Sequence, residues 1–127
     1  MFVLMSARLP RPPAALVAAR LPEVPPGRRV AVAGLVILRQ RPGTAGGVVF
    51  LTLEDETGVI NVIVWRTMFE RYRRAVIAGR LLRVTGRVER QAGVMHMVAE
   101  EIEDISALLD RLTDAEAAPL PLSGQTG

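Results

Sequence analysis

Residues 47–65 read GVVFLTLEDETGVINVIVW. Two aliphatic, β-branched runs flank an acidic turn, DETG at 55–58, and both runs alternate. Successive side chains of a strand point to opposite faces. Val49, Leu51 and Leu53 therefore form one set, and Phe50, Thr52 and Glu54 the other. The polar members mark the second set as outward. In the following run Ile60, Val62 and Val64 form the inward set, and Val59, Asn61, Ile63 and Trp65 the outward one. A tight turn at 55–58 sets Glu54 opposite Val59, Thr52 opposite Asn61 and Phe50 opposite Ile63. Opposed residues share a face, so both assignments agree. Phe50 and Asn61 become diagonal neighbours about 7–8 Å apart, within reach of one ligand. A ring and an amide so placed suit stacking on a base and bonding to its polar edge.

Outward from this hairpin the rest of the chain falls into short elements. Upstream, RRVAVAGLVILRQ predicts one long strand over 29–40, bent at Gly34, and RPGTAGG at 41–47 a loop. Downstream, Met68, Phe69, Tyr72, Val76 and Ile77 recur at helical spacing, and Gly79 stops that helix. Trp65, at the end of the third strand, is expected to pack against it. Strands follow at 80–90 and 94–102, then a helix at 104–112 with Asp104 or Ser106 near its cap. Three strands, a helix, then two strands, the first strand bent, is the order of an OB-fold: an all-β, five-stranded Greek-key barrel with short helices, one between strands three and four and one at the C-terminal end. Residues 1–27, with six of the nine prolines, read as a linker or arm with one short helix at 13–20; 28–103 as the barrel; 104–127 as the closing helix and a frayed tail. Such barrels bind oligonucleotides on the face of strands two and three, between the loops joining strands one to two and four to five. Those loops are 41–47 and 90–93, and each begins with arginine.

Charge points to the same class of partner. All sixteen basic residues are arginine, and they are unevenly placed. Residues 28–53 hold four arginines and no acid; 66–99 hold eight against Glu70 and Glu89; 100–127 hold seven acids against Arg111. A basic body with an acidic end suits a polyanion, and guanidinium forks match phosphate. The candidate nucleic-acid contacts are Arg39, Arg41, Thr44, Phe50, Thr52, Asn61, Ile63, Arg83, Arg87 and Arg90. A GC-rich genome and a solvated arginine surface would give the same composition.

Chemistry of other kinds finds little support. Without cysteine, and with one histidine, no disulfide or zinc site is expected, and no cofactor. His96 reads as a structural strand residue. The carboxylates at 54–56 lie in one turn, where Asp55 is best used to bond nearby amides; GTAGG lacks the following GK[ST] of a phosphate loop. Neither a signal peptide nor a membrane helix is visible, so a cytoplasmic, non-catalytic module is expected.

The stretch from Arg28 to about residue 109, most specifically AGLVILRQRPGTAGGVVFLTLEDETG and the closing GVMHMVAEEIEDIS, resembles the C-terminal OB domain of bacterial error-prone DNA polymerases, C-family relatives of the replicative α subunit. The resemblance implies a fragment or truncated form that contacts single-stranded template. It also implies a parent enzyme active in translesion synthesis and damage-induced mutagenesis, with the sliding clamp and accessory mutagenesis proteins as partners. None of that family's metal-binding aspartates has a counterpart here. GVVFLTLEDETGVINVIV is also similar to the anticodon-binding OB domain of class II aminoacyl-tRNA synthetases, where an aromatic like Phe50 stacks a base and an amide like Asn61 bonds it, although Glu54 stands in place of that motif's usual arginine. A barrel that docks a protein, such as the clamp, an accessory protein or a sister polymerase domain, is the rival reading, favoured by the outward apolar residues Val48, Ile63 and Val98.

Overall fold

The run read as the first strand forms β2 (Arg29–Gln40) at the expected bounds. The computed structural model describes residues 15–42 and 46–109, and in it β2 is followed by β3 (Val49–Asp55), β4 (Gly58–Val64), β5 (Leu81–Gln91) and β6 (Val94–Asp104). β2 pairs antiparallel with β5 through residues 29–35 and with β3 through residues 35–40. One strand thus serves both sides of the barrel, and it must bend where it changes partners. Gly34 stands at that point: a Cβ there would lie 2.9 Å from the Glu54 carbonyl oxygen. The pairing with β3 slips between Val36 and Leu38, a bulge that sharpens the bend. β3 pairs with β4, β4 runs parallel to β6, and β6 pairs with β5, closing five strands into a barrel.

Alternation decides what fills it. Leu51, Leu53, Ile60, Val62 and Val64 are buried, joined by Val32, Leu82, Val84, Val88 and Met97. The inward sets read from the hairpin sequence are the observed ones, and the expected register holds pair for pair: Glu54 with Val59, Thr52 with Asn61, Phe50 with Ile63.

The segment after β4 departs from the single helix expected. It forms α1 (Arg66–Arg71) and α2 (Arg73–Ala78), broken at Tyr72 with φ −115° and ψ 31°. Phe69 and Val76 enter the core. Ile77, expected on the inward stripe, is half exposed; the break turns α2 so that Val76, with Ala75 beside it, faces the core instead. Gly79 caps α2 as expected. The closing helix is seen over residues 106–109, the remainder of its expected span lying outside the described residues. Asp104 caps it, its Oδ1 accepting from the Ser106 amide at 2.9 Å, whereas Ser106 Oγ accepts from the amides of Arg80 and Leu81 and so ties the helix start to β5.

The helix expected at 13–20 forms only in part, displaced toward later residues. Ala15–Leu16 forms β1, parallel to Ala31 and Val32 of β2, and Ala18–Glu23 is a 3-10 helix with Pro22 inside it. The free edge of β2 offers Ala15 and Leu16 backbone partners that a local helix would have had to supply from within. Ala18 and Leu21 then enter the barrel core.

Asp55 ties this arm to the hairpin. Its Oδ1 accepts from the Thr57 amide (2.7 Å), the Thr57 hydroxyl (2.7 Å) and the Gly58 amide (3.1 Å); its Oδ2 accepts from the Ala18 amide at 2.7 Å. A carboxylate in a turn is expected to bond nearby amides; the bond to Ala18 could not be read from local sequence. Asp55→Ala should lose about 2 kcal/mol, because four donors lose a charged acceptor and some become unsatisfied. Urea unfolding checks this, and limited proteolysis should find the arm cut first.

Candidate nucleic-acid interface

The outward residues of four strands meet in one groove of about 400 Å³. Phe50 of β3 pairs with Ile63 of β4, Ile63 with Val98 of β6, and His96 of β6 with Glu89 of β5. Register alone therefore carries this face from β3 across β4 and β6 to β5. Trp65, two residues beyond Ile63 and so on the same face, completes the aromatic part of the lining; Glu89 and Gln91 form the β5 side. Ile63 is the floor, 9% exposed, while Trp65 is 51% exposed. Thr52 and Asn61 form the next pair along the same face, and Asn61 is exposed. Phe50, Thr52, Asn61 and Ile63 are thus brought together as one outward surface. Thr44 lies outside the described residues.

The arginines lie elsewhere. Arg39 pairs in register with the core residue Leu51, so its side chain leaves the barrel away from Phe50. Its guanidinium donates to the carbonyls of Val76 (2.7 Å) and Gly79 at the end of α2. It satisfies exposed helix-end carbonyls and favours the negative end of the helix. Arg41, two residues on, sits 4.6 Å from the centre of the Phe69 ring. Both arginines thus bind the helical end of the barrel. Arg83 belongs to the side where β5 pairs with β2, within reach of Glu103. Arg90 donates to the Pro22 carbonyl at 3.2 Å. Arg87 is the nearest to the groove, paired with Val98, but its guanidinium is held by Glu100 at 2.9 Å and by the Gly27 carbonyl at 3.0 Å.

Glu100 is the hub of this charged side. Arg29 bonds its Oε1 at 2.8 Å while Arg87 bonds its Oε2. The hydrogen bond from Arg29 is the largest influence on the Glu100 carboxyl; desolvation, the next, pushes it up, and the bond from Arg87 with the charge of both arginines tips the balance, holding it below its ordinary value of 4.5. A carboxyl lowered on folding stabilises the fold fully above its unfolded pKa and loses that contribution as pH falls through the folded one. The difference in Tm between the native chain and Glu100→Gln should therefore be constant near neutral pH and shrink only below 4.5. Thermal melts at a series of pH values check this, and a gap that widens in acid would contradict it.

Among the described residues no three His, Asp or Glu side chains cluster as a metal site would require. No described helix is long and apolar enough to cross a membrane.

Residues 30–105 match the family described as the OB-fold nucleic acid binding domain. The chain belongs to that family. This OB domain is 63% identical over 81 residues to the error-prone DNA polymerase of Ruegeria pomeroyi, covering 64% of this chain and 7% of that protein. It is 54% identical over 104 residues to the error-prone DNA polymerase of Caulobacter vibrioides, covering 82% of this chain and 10% of that one. The OB domain thus spans a tenth or less of these curated relatives. Among solved structures it is similar to asparaginyl-tRNA synthetase from Pyrococcus horikoshii, with a TM-score of 0.60 and 27% identity over 72% of this chain and 23% of that one. The Stn1–Ten1 complex of S. pombe shares the fold, at a TM-score of 0.56 and 18% identity over 70% of this chain and 66% of that one.

Two groove residues of the OB domain differ from the sequence expectation. Trp65 is expected against the helix; as the residue preceding α1 it instead keeps the outward parity of β4, and that parity is the available signal. His96 reads from sequence as a satisfied structural residue. It lines the groove, and its Nδ1 is buried without a hydrogen-bond partner among the described residues. Only the pairing of β6 beside β4, a contact between distant parts of the chain, places it there.

Proposed function

We propose that this OB domain binds single-stranded DNA, as a non-catalytic module of an error-prone DNA polymerase acting in translesion synthesis and damage-induced mutagenesis. The observation that carries the reading is the open groove in which Phe50, Trp65 and His96 surround an aliphatic floor. Flat rings around an apolar floor suit unstacked bases, which single strands offer and duplexes hide. Phe50 stacks a base, Asn61 and Thr52 bond its polar edge, and Ile63 supports it. Arg87, beside the groove, is the candidate phosphate contact; Arg83 lies farther along β5, Arg90 is turned to the Pro22 carbonyl, and Arg39 and Arg41 serve the helical end. With few groups that read base edges, sequence preference should be slight. The likeness to error-prone polymerases supports the cellular role, a cytoplasmic setting, and the sliding clamp and accessory mutagenesis proteins as further partners.

Fluorescence anisotropy with labelled oligo-dT, oligo-U and a duplex of equal length tests this. Binding of oligo-dT well above duplex is the expected result; equal binding would overturn it, and a preference for oligo-U would move the reading to the anticodon-type alternative. A second reading, protein docking, is favoured by the apolar floor of Ile63, Val98 and the buried Val48, and by Glu89 standing where a phosphate would prefer a cation.

A further inference from the structure

The barrel carries a second concavity, of about 690 Å³, where β2 pairs with β5 and the arm of residues 16–25 forms the opposite wall. Arg20, Arg28, Arg29 and Arg83 line it against Glu23 and Glu101. Glu100 and Glu103 stand beside this lining as partners of Arg29 and Arg83, so the cleft's preference rests on which guanidinium groups are left with donors to spare. Partners sort the four arginines. Arg20 is paired with Glu23 at 2.9 Å, and Arg29 with Glu100 at 2.8 Å. The exposed side chain of Arg28 has no partner among the described residues. Arg83 reaches Glu103 only through Nη1 and only at 3.7 Å, and that carboxylate is 63% exposed. Pairs so exposed are weak. The Arg83 Nε is buried and has no acceptor among the described residues. A guanidinium N–H cut off from water without an acceptor is costly, so the Arg83 side chain gains by swinging out to an oxygen bound in the cleft.

We propose that this cleft is a second site, separate from the aromatic groove, that takes the phosphodiester backbone of a nucleic acid, with Arg28 and Arg83 as its phosphate ligands. The fork geometry of arginine matches phosphate oxygens, and Arg83 presents one unused donor beside one weakly used. The cleft offers no ring to a base, so its affinity comes from the backbone alone. Arg83 and Glu89 lie on the same outward row of β5, six residues apart, which is about 20 Å at the rise of a strand. Arg87 stands between them on that row. A strand whose bases sit in the groove can therefore follow β5 into the cleft.

The test uses an abasic hexamer of deoxyribose phosphate, which cannot stack, titrated by NMR into the full chain at low salt. The hexamer should shift the Arg83 Nε–H signal and the amides around Arg28. Arg28→Glu, at an exposed position that should not disturb folding, should weaken it at least fivefold, and Phe50→Ala should leave it unchanged. For oligo-dT, Arg28→Glu with Arg83→Gln should flatten the dependence of log K on log salt by about 1.4, two single-strand phosphate contacts. Shifts confined to the aromatic groove, or an Arg28→Glu variant that binds the hexamer as the native chain does, would overturn the proposal. So would a hexaglutamate peptide that binds as tightly as the hexamer, which would assign the cleft to acidic protein segments. Hexamer binding without oligo-dT preference over duplex would leave the cleft standing and remove the groove.

Discussion

Gly86→Ala should lose about 3 kcal/mol or more, a larger loss than that expected of Asp55→Ala. For a domain of this size that lowers Tm by roughly 12–24 °C. Gly86 sits where β5 and β6 change register: Thr85 pairs with Glu101 and Gly86 with Ala99, so that Glu100 is the extra residue. The bulge pulls the two backbones together. A Cβ on residue 86 would lie 2.0 Å from the Val98 carbonyl oxygen and 2.9 Å from its carbon. Neither is the end of a flexible side chain; both belong to a strand fixed on each side, by β5 and by β4. Relief would require separating β6 from β5 next to Val98, whose side chain helps build the aromatic groove. The variant should therefore lose both stability and any ligand affinity that depends on that wall. A melt within about 3 °C of the native chain would show that the bulge relaxes easily.

Phe50→Ala and Trp65→Ala should each weaken oligo-dT binding at fixed salt by about fivefold to 150-fold, the range that corresponds to roughly 1–3 kcal/mol for one stacked base. Neither ring holds a phosphate, so the salt slope should not change. The two variants should differ in stability. Trp65 is half exposed at a strand end and should cost little on melting, whereas Phe50, more enclosed, should cost more. Trp65→Ala is therefore the cleaner probe: a well-folded variant with undiminished oligo-dT affinity would remove stacking from this groove. If the docking reading holds instead, both variants should leave oligonucleotide binding untouched.

The hairpin is legible because its information is local. A two-residue period, one tight turn and an inward aliphatic set fix which residue opposes which, and Phe50 with Ile63 follows without knowledge of any other element. The long β2 strand is legible for a related reason, and its bend is written in Gly34. What sequence does not reveal is set by distant contacts. The arm abandons a local helix at its start because the edge of β2 and the Asp55 carboxylate are available to it. Arg39 and Arg41 are expected to frame the groove because their loop is near it in sequence. The bulge between Val36 and Leu38 reverses the parity of β2, which sets Arg39 opposite the core residue Leu51 and sends both side chains instead to the helical end, where the carbonyls of Val76 and Gly79 and the ring of Phe69 await them. His96 joins the groove only through the pairing of β6 with β4, which no local pattern encodes.

That pairing has one further consequence. β4 and β6 meet only at Val62 with Met97 and Ile63 with Val98, whereas β5 and β6 are matched along nearly their whole length. The seam that zips the cylinder shut is its shortest, and two of the side chains flanking it, Ile63 and Val98, are also the bed on which a guest would lie. A molecule resting there would span the join like a rivet, so occupancy and closure of the barrel would reinforce each other.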